Sequence, residues 1–496
     1  MPQANWWPRS CKKASSSTSR AQRHQARHES RVAVAARERI IVHVGSPAAR
    51  WISALTVFLG FCWLIILLAR DPHHPDWDPA SRLTWSLTIL TAVAFIARGI
   101  FLGRPVTAAH AWAASGFVVA GLTAHVFVFD ELGNLLIVCA GIALMWPTTA
   151  RPNPADLPKV WALVDATSGD PLAPFAMHVG KCHYFNAPET AAIAYRTRMG
   201  YAVVSGDPIG DERCFAELVV GFAQLCHQRG WRMVVLGCSE RRLQLWTDRA
   251  AVGQKLRSVP IGHDVVIDVD TFDLVGRKYR NLRQAVQRTR NAGITTEIVA
   301  EQELAEPLRG ELIEVLAASG HGARTERGFS MILDGALEGR YPGIVLAIAR
   351  DATGRVQGFH RYATAGHGTD ITLDVPWRRR GAPNGIDERL TVDMVDDARG
   401  RGAQRVSLAF AAFPEIFDQK ERGRLQNLAY IAIHLGDALI ALESLFRYLR
   451  KFHALGGRRY VLLTMTQVVP LLIVLLSLEF VPRRRHLVTA SASASA

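Results

Sequence analysis

The sequence predicts an α/β protein in which N-terminal transmembrane helices precede a cytoplasmic domain made of two similar halves. Two observations support this fold class. Long apolar stretches are confined to the first third of the chain and to its end, whereas residues 155–458 alternate strand patterns with amphipathic helix patterns. Within that region, the order of hairpin, strand, turn, helix and strand occurs twice, which indicates a duplication.

Composition and charge limit the classes of protein that the chain can form. Of its 496 residues, 49% are hydrophobic and 21% are charged, a high apolar fraction for a purely soluble protein. The net charge of +14 favours a polyanionic partner, either nucleic acid or an anionic membrane surface. The seven cysteines show no paired or metal-like spacing, so we expect reduced, structural thiols.

Residues 1–50 predict a disordered basic arm, because ten Lys or Arg residues occur there with only Glu29 and Glu38. Residues 51–69 are continuously apolar and long enough to cross a bilayer as a helix. Further candidate spans over residues 83–102, 108–127 and 132–146 give a transmembrane region, residues 51–148, of about four helices. Because positive segments stay in the cytoplasm, an even number of spans predicts a multi-pass plasma-membrane protein with its remaining domain in the cytoplasm.

The duplication defines the predicted cytoplasmic domain, residues 155–458. The first copy comprises a hairpin over residues 175–196, a strand over 201–205, a turn over 206–211, a helix to about His227 and a strand over 233–236. The second copy comprises a hairpin over residues 344–362, a strand over 371–375, an Arg/Pro/Gly loop, a helix to about Arg399 and a strand over 406–410. We expect a twofold arrangement with a substrate cleft between the copies.

The loop of the second copy is the predicted place of the chemistry. Its arginines are Arg378, Arg379 and Arg380. The loop leads into a helix that Asn384 can cap, and the carboxylates Asp374 and Glu388 flank it. Arginines beside a helix N-terminus suit a phosphate, and a carboxylate can accept a proton or hold an ammonium group. A solvated Arg-rich turn is the alternative interpretation.

An amphipathic helix with a basic outer face is predicted between the copies, over residues 276–293. Tyr279, Leu282, Val286 and Thr289 share one face of it, and Gly293 is placed to end it. The positive side chains around that face are Arg277, Lys278, Arg280, Arg283, Arg288 and Arg290. Since no acid interrupts them, we expect contact with a polyanion, either tRNA or lipid headgroups, although a solvated face remains the alternative.

Several blocks resemble the cytoplasmic catalytic domain of the phosphatidylglycerol lysyltransferase, or aminoacyl-phosphatidylglycerol synthase, family. The resemblance covers residues 160–458. The blocks are Lys181 with residues 191–195, residues 206–210, residues 271–272 with 280–283, residues 326–330, and Asp374 through Glu388. The resemblance implies two N-acetyltransferase-like (GNAT) lobes and transfer of an aminoacyl group, such as lysyl, from aminoacyl-tRNA to phosphatidylglycerol. Because the tRNA ester is already activated, we expect no metal or redox cofactor.

The loop chemistry and the resemblance together assign roles to individual residues. Asp374, Glu388 and Arg378 are assigned to catalysis. The residues assigned to substrate binding are Arg379, Arg380, Asn384, Lys181, Tyr195, Asp207 and Glu326. Arg378 and Arg379 would hold the lipid phosphate or the tRNA end. Asp374 or Glu388 would orient the ammonium group or assist proton removal, with His360 as an alternative base. Lys181 and Tyr195 fit packing roles equally well, and Glu326 fits a helix cap.

The chain also departs from the family pattern. Its membrane part is reduced to about four spans, and no tRNA synthetase domain is fused, so we expect charged tRNA to come from elsewhere. The second block begins Asp374-Val-Pro-Trp377 where the family has Asp-Leu-Met-Arg. Residues 459–482 form an apolar segment before a disordered tail, residues 483–496. This segment predicts either a last strand followed by a membrane-touching stretch or a fifth span interrupted by Pro470.

Two alternative functions stay open at this point. Arg378-x-x-Gly381 followed by Pro383 nearly matches a pyrophosphate loop, which would suit acyl-coenzyme-A-dependent N-acyltransfer. A non-catalytic membrane module that only binds lipid or RNA is the other alternative. The sequence does not predict which amino acid is transferred.

Overall fold

A computed structural model describes residues 40–42, 47–70, 79–318, 325–326, 332–412, 447–479 and 483–484. Most of the predicted basic arm and of the predicted tail lies outside these residues. The chain divides into two compact units: Met1–Thr149 with Gln224–Arg232, and Ala150–Ala223 with Met233–Ala496.

The first unit is mainly helical. Its elements are β1 (Ile40–Val42), α1 (Pro47–Arg70), α2 (Pro79–Phe101), β2 (Val106–Thr107), α3 (Ala108–Val126) and α4 (Asp130–Leu144). A helix therefore occupies each of the four stretches that predict a span. Among the described helices, one segment, Thr84–Phe101 of α2, is long and apolar enough to cross a membrane. Four membrane crossings thus stay a prediction.

Glycines bring the helices of the first unit close together. A Cβ atom on Gly141 of α4 would lie 2.7 Å from the main-chain oxygen of Ala92 in α2. On the facing turns of α3 and α4, a Cβ on Gly121 would lie 3.0 Å from the oxygen of Gly133. Small residues at such contacts are typical of helices that pack within a membrane.

The second unit contains a mixed sheet of twelve strands. These strands are β3 (Cys182–Phe185), β4 (Ala191–Arg198), β5 (Tyr201–Ser205), β6 (Ile209–Gly210), β7 (Arg232–Ser239), β8 (Arg257–Asp268), β9 (Thr295–Ala300), β11 (Ile344–Arg350), β12 (Val356–Ala365), β13 (Asp370–Arg378), β14 (Arg405–Ala412) and β15 (Leu455–Leu463). A separate two-stranded pairing joins β10 (Thr325–Glu326) and β16 (Arg483–Arg484). The predicted α/β fold is confirmed, and its sheet is mixed because β13 and β14 pair in parallel.

Helices connect and cover these strands. They are α5 (Leu157–Asp165), α6 (Phe215–Arg229), α7 (Leu243–Thr247), α8 (Arg249–Val252), α9 (Arg280–Asn291), α10 (Glu306–Ala318), α11 (Ile386–Gly400) and α12 (Val468–Glu479). The predicted inner face of the basic helix is buried in α9, because Leu282 and Val286 pack in one core with Leu390 and Met394 of α11. This packing fixes α9 beside α11.

Strands β8 and β15 exchange places between the two copies. The sheet order is β3-β4-β5-β7-β15-β8-β14-β13-β12-β11-β9, with β6 paired to β4. Strand β8, which follows the first copy, therefore pairs with β14 of the second, and β15, which follows the second copy, pairs with β7 of the first. The two exchanged strands are antiparallel, with Val461 opposite Val259. The exchange joins both copies into one sheet.

Strands β13 and β14 separate after a short parallel contact. They pair only from Asp370 opposite Arg405 to Thr372 opposite Ser407, and α11 connects them. Because β14 no longer accompanies β13 beyond Thr372, Pro376 costs little pairing there, and the strand continues to Arg378. The prediction that this strand ends at residue 375, with Pro376 already in the Arg/Pro/Gly loop, is therefore wrong. Beyond Thr372, Arg378 at the end of β13 lies next to Asp387 in the first turn of α11.

The apolar C-terminal segment forms a strand and a helix. Strand β15 is part of the central sheet, and α12 follows it from Val468. Pro470 lies in the first turn of α12, where a missing N–H group breaks no helical hydrogen bond. The twelve described residues of α12 make a helix of about 18 Å, shorter than the about 30 Å of hydrocarbon that a spanning helix crosses, and the alternative of a fifth span stays a prediction.

Candidate functional site

Six polar side chains from four elements form a connected group where β13 and β14 separate. We call it the splay cluster. Its members are His360 and Tyr362 on β12, Arg378 at the end of β13, Asp387 and Thr391 on α11, and Tyr448 in the helical turn 447–450. Alternation along β12 points His360 and Tyr362 to the same face, and one turn of α11 separates Asp387 from Thr391.

The carboxylate of Asp387 contacts two side chains, those of His360 and Arg378. Its Oδ1 atom lies 3.2 Å from His360 Nε2, and its Oδ2 atom lies 3.4 Å from Arg378 Nη1. Burial raises the pKa of Asp387, but the hydrogen bond from His360 and the charges of Arg378 and Lys451 outweigh burial, so the net pKa is below its usual value. Asp387 is therefore a carboxylate at neutral pH.

A chain of hydroxyl groups orients the His360 ring. Because the carboxylate of Asp387 can only accept, Nε2 of His360 donates to it, and Nδ1 accepts from Tyr362 Oη at 3.1 Å. Tyr362 Oη lies 3.5 Å from Thr391 Oγ1, which also contacts the hydroxyl of Tyr448. Burial raises the pKa of both tyrosines, so they stay neutral. This chain fixes the tautomer of His360.

A second ion pair lies next to the splay cluster. Lys451 Nζ donates to Glu388 Oε1, and Glu388 directly follows Asp387 on α11. The Glu388 side chain is buried, whereas those of Lys451, Arg378 and Asp387 are 39%, 49% and 22% exposed. His360 is fully buried. Solvent therefore reaches one carboxylate and two cations, and those three groups are available to a ligand.

The first turn of α11 begins at Gly385, so the prediction that Asn384 caps this helix is wrong. Gly385 is the N-cap residue, and Asn384 is exposed. Gly385 has φ 105°, and a Cβ atom there would lie 2.7 Å from the main-chain oxygen of Ala285 on α9. Because glycine has no capping side chain, Gly385 itself accepts no hydrogen bond from the first N–H groups of α11, and such a helix N-terminus beside Arg378 favours an anion.

Asp374 lies in a different environment from the one that the sequence predicts. It is the extra residue of a β-bulge, since Leu373 pairs with Tyr362 and Val375 with Arg361. Its carboxylate accepts from Arg361 Nη1 at 2.9 Å and from the Leu333 N–H at 2.8 Å. Burial raises the pKa of Asp374 to about 6, although Arg361 opposes the shift. Asp374 thus belongs to a buried ion-pair network rather than to the splay cluster.

The network around Asp374 has a third member, Glu301. Arg361 Nε donates to Glu301 Oε2 at 2.7 Å, and all three side chains are fully buried. The neighbouring Trp377 lies in the position where the resemblance implies arginine, and its ring centroid lies 5.0 Å from that of Phe359 in a hydrophobic core. Packing and buried ion pairs therefore occupy this side of β13.

The remaining loop arginines separate from Arg378. Arg379 pairs with Glu314 on α10 at 3.0 Å, and its Nε donates to the main-chain oxygen of Val356. Arg380 is exposed. The structure therefore brings together Arg378 with Glu388 and the unpredicted Asp387, and it directs Arg379 towards α10.

The predicted residues of the first copy lie in its interior. Lys181 is buried and donates to the Phe175 oxygen and to Ser205 Oγ, both at 2.7 Å. Tyr195 is buried against Phe222, with ring centroids 4.9 Å apart. Asp207 accepts from the Ser239 N–H at 3.0 Å, and burial with the nearby Asp170 raises its pKa. Asp207 also pairs with the buried Arg459 at 3.4 Å, so these contacts engage all three side chains inside the protein. For Glu326 the structure describes only the main chain in β10.

The basic outer face of α9 is exposed. Arg280, Arg283, Arg288 and Arg290 lie in α9, Arg277 and Lys278 lie in the turn just before it, and all six are exposed. Arg283 differs from the others, because its Nη1 atom donates to the main-chain oxygens of Leu274 and Gly276. The other five leave a positive surface on α9 and on the turn before it, and α9 adjoins α11 through the Gly385 contact.

Two described cavities lie away from the splay cluster. One of about 430 Å³ is lined by Ser239, Asp264, Arg405 and Arg459 where the two copies meet, and one of about 180 Å³ is lined by Thr369 and neighbouring residues. The loop arginines line neither of them. Among the residues that the structure describes, no group of three His, Cys, Asp or Glu side chains is arranged to hold a metal ion.

Most of the second unit matches one protein family. The profile of the family described as "Phosphatidylglycerol lysyltransferase, C-terminal" matches residues 161–463. The chain belongs to this family. It is also 67% identical over 451 residues to the MprF-like domain protein Rv1619 of Mycobacterium tuberculosis, covering 91% of this chain and 93% of that protein. Members of the phosphatidylglycerol lysyltransferase family are transferases that act on phosphatidylglycerol, so the predicted family and transferase class are confirmed.

A longer relative and two solved structures agree with this family assignment. The chain is 27% identical over 432 residues to the lysylphosphatidylglycerol biosynthesis bifunctional protein LysX of Mycobacterium tuberculosis, covering 85% of this chain but only 34% of LysX. The C-terminal domain of a putative lysylphosphatidylglycerol synthetase from Agrobacterium fabrum matches with TM-score 0.56 and 21% identity, covering 66% of this chain and 98% of that chain. L-PGS from Bacillus licheniformis matches with TM-score 0.56 and 19% identity, covering 66% of this chain and 96% of that chain. These two structures support the family fold.

Proposed function

We propose that this family member transfers an aminoacyl group from aminoacyl-tRNA to phosphatidylglycerol, and that the splay cluster is its active site. The observation that carries the proposal is the Asp387 carboxylate, which is kept ionised, partly exposed and placed beside Arg378. A negative group beside positive groups suits a substrate pair that brings an ammonium and phosphates together.

Each exposed group of the site then has a role. Asp387 binds the ammonium of the aminoacyl group, because its lowered pKa keeps it negative. Arg378, Lys451 and the uncapped N-terminus of α11 bind the phosphates of the lipid or of the tRNA end. In the transfer, the ester bond to the ribose breaks and an ester bond to the glycerol hydroxyl forms, while the hydroxyl proton ends on the ribose oxygen. Positioning and charge stabilisation by these residues accelerate the step.

The exposed basic face of α9 is the proposed docking surface for tRNA. It carries five positive side chains that solvent reaches freely, and its helix lies against α11, which carries the active-site carboxylate. A tRNA backbone bound there would place its aminoacyl end near Asp387. The two substrates would thus meet at the N-terminus of α11, on the cytoplasmic side of a multi-pass protein.

The lipids of an expressing host provide the test. Expression of the chain in a host without such an enzyme should produce a new cationic phospholipid on thin-layer chromatography, and feeding labelled lysine, alanine or arginine should show which amino acid it carries. Asp387→Ala should abolish the new lipid, and Arg378→Ala should reduce it at least about tenfold, because each removes a charged contact.

A matched control separates the site from general charge loss. Arg355 is exposed on the turn between β11 and β12, so Arg355→Ala should retain the wild-type lipid yield. Retention of wild-type yield by Asp387→Ala would remove the splay cluster as the active site. Binding of coenzyme A in calorimetry, together with the absence of a new lipid, would favour the acyl-coenzyme-A alternative.

A further inference from the structure

Helix α12 presents apolar side chains on two opposite faces. Its inner face packs on the first copy, where Leu471, Val474 and Leu478 join a core with Tyr201 and Val461. Its outer face consists of Met465, just before the helix, and of Val468, Val469, Leu472, Ile473 and Leu476, which are 40–73% exposed. From Val468 to Leu478 the helix carries no ionisable residue.

This pattern differs from that of an ordinary surface helix. A helix that covers a soluble core has a polar outer face, and a helix that is apolar all round is buried on all sides. The spacing of the outer residues, at positions 465, 468, 469, 472, 473 and 476, forms one continuous stripe. A contiguous apolar stripe of this kind marks an interaction surface.

We infer that the outer face of α12 lies in the interfacial region of an anionic bilayer and docks the second unit on the membrane surface. The chain itself brings a bilayer close, since its first unit holds a helix long and apolar enough to cross one. The described length of α12, about 18 Å, is shorter than the hydrocarbon layer and fits a helix lying in the membrane plane. Arg483, Arg484 and Arg485 follow α12 in the sequence and complement anionic headgroups.

A photoreactive side chain in the full-length protein tests this placement. p-Benzoylphenylalanine replaces Ile473, and the protein is reconstituted in vesicles of phosphatidylglycerol and phosphatidylethanolamine. Irradiation should attach a phospholipid to this position, detected by mass spectrometry of the α12 peptide. Two controls carry the same side chain: at Val474 on the inner face we expect attachment within the protein, and at the exposed Arg355 we expect no lipid adduct.

Each other outcome at position 473 overturns the inference. A cross-link to a second copy of the chain would make the stripe a dimer interface, and a cross-link to residues 413–446 would make it part of the protein's own core. Absence of any lipid adduct would also contradict it. The result is independent of the proposed aminoacyl transfer, because the photochemical cross-linking needs neither charged tRNA nor an active site.

Discussion

The Nε2 atom of His360 lies 3.2 Å from Oδ1 of Asp387, so a fully buried ring supports a carboxylate that solvent reaches. Both ring nitrogens of His360 are engaged, one by Asp387 and the other by Tyr362. His360 therefore acts as a positioning residue for Asp387, and its predicted role as an alternative base does not fit these contacts.

Substitution of His360 should change the pH dependence of transfer. His360→Leu removes a hydrogen bond that lowers the pKa of Asp387, so this pKa should rise and the acid limb of kcat/KM should move to higher pH. The loss of one hydrogen bond to a charged group predicts a decrease of about tenfold at neutral pH. A pH profile of lipid formation measures both effects; an unmoved acid limb would show that His360 does not act through Asp387.

The buried Asp374 should make stability depend on pH. Burial raises its pKa in the folded protein to about 6, above the value of an unfolded chain. Its contribution is therefore fully present below about pH 4 and is lost as the pH rises through about 6, by up to about 3 kcal/mol of unfolding free energy. The side chain of Asp374→Asn does not titrate, so this pH-dependent contribution to stability is absent from the variant. The melting temperature of the wild type relative to the variant should fall between about pH 4 and 7; a constant difference would contradict the assignment.

The basic face of α9 should bind tRNA through phosphate contacts. Replacing Arg288 and Arg290 by Gln should weaken tRNA binding and reduce the slope of log affinity against log salt by about 1 to 2. The melting temperature should not change, since both side chains are exposed. Arg283→Gln is the contrasting variant, because Arg283 holds main-chain oxygens and its loss should lower the melting temperature. An unchanged salt slope in the double variant would exclude this face as the tRNA site.

Gly385 should tolerate no side chain. Its φ is 105°, and an added methyl carbon would lie 2.7 Å from the Ala285 oxygen, so Gly385→Ala should move the start of α11 and cost about 2 kcal/mol or more. Both the melting temperature and lipid formation should fall. The matched variant Gly381→Ala, at a positive φ with open space around it, should lose less stability. Equal losses in the two variants would indicate that strain alone, rather than the α9 contact, determines the effect.

Much of the fold could be predicted from local sequence patterns. The two copies, their strands and the inner face of α9 follow from residue periodicity, which each segment carries by itself. The exchange of β8 and β15 could not, because it pairs strands almost 200 residues apart and leaves no local pattern. Likewise, Pro376 is tolerated in β13 only because β14 has already separated from it.

The candidate site could be predicted only in part, for a similar reason. Arg378 and Glu388 follow from the strand-loop-helix pattern, and Asp387 could have been found as the other acid in the first turn of α11. The sequence does not distinguish Asp374 from these residues. Its pairing with Arg361 depends on a bulge in the sheet, which only the structure shows. Tyr448 and Lys451 come from a distant segment, and only tertiary structure places them beside α11.

Transfer with purified components tests the central claim most directly. The full-length protein, in vesicles containing phosphatidylglycerol, receives tRNA charged with a labelled amino acid, first lysine and then alanine and arginine. The label should enter the lipid phase with wild-type protein, and Asp387→Ala should leave it on the tRNA or in water as free amino acid. Failure of wild-type protein to label the lipid with any of these amino acids, or equal labelling by Asp387→Ala, would contradict an aminoacyltransferase that works through the splay cluster.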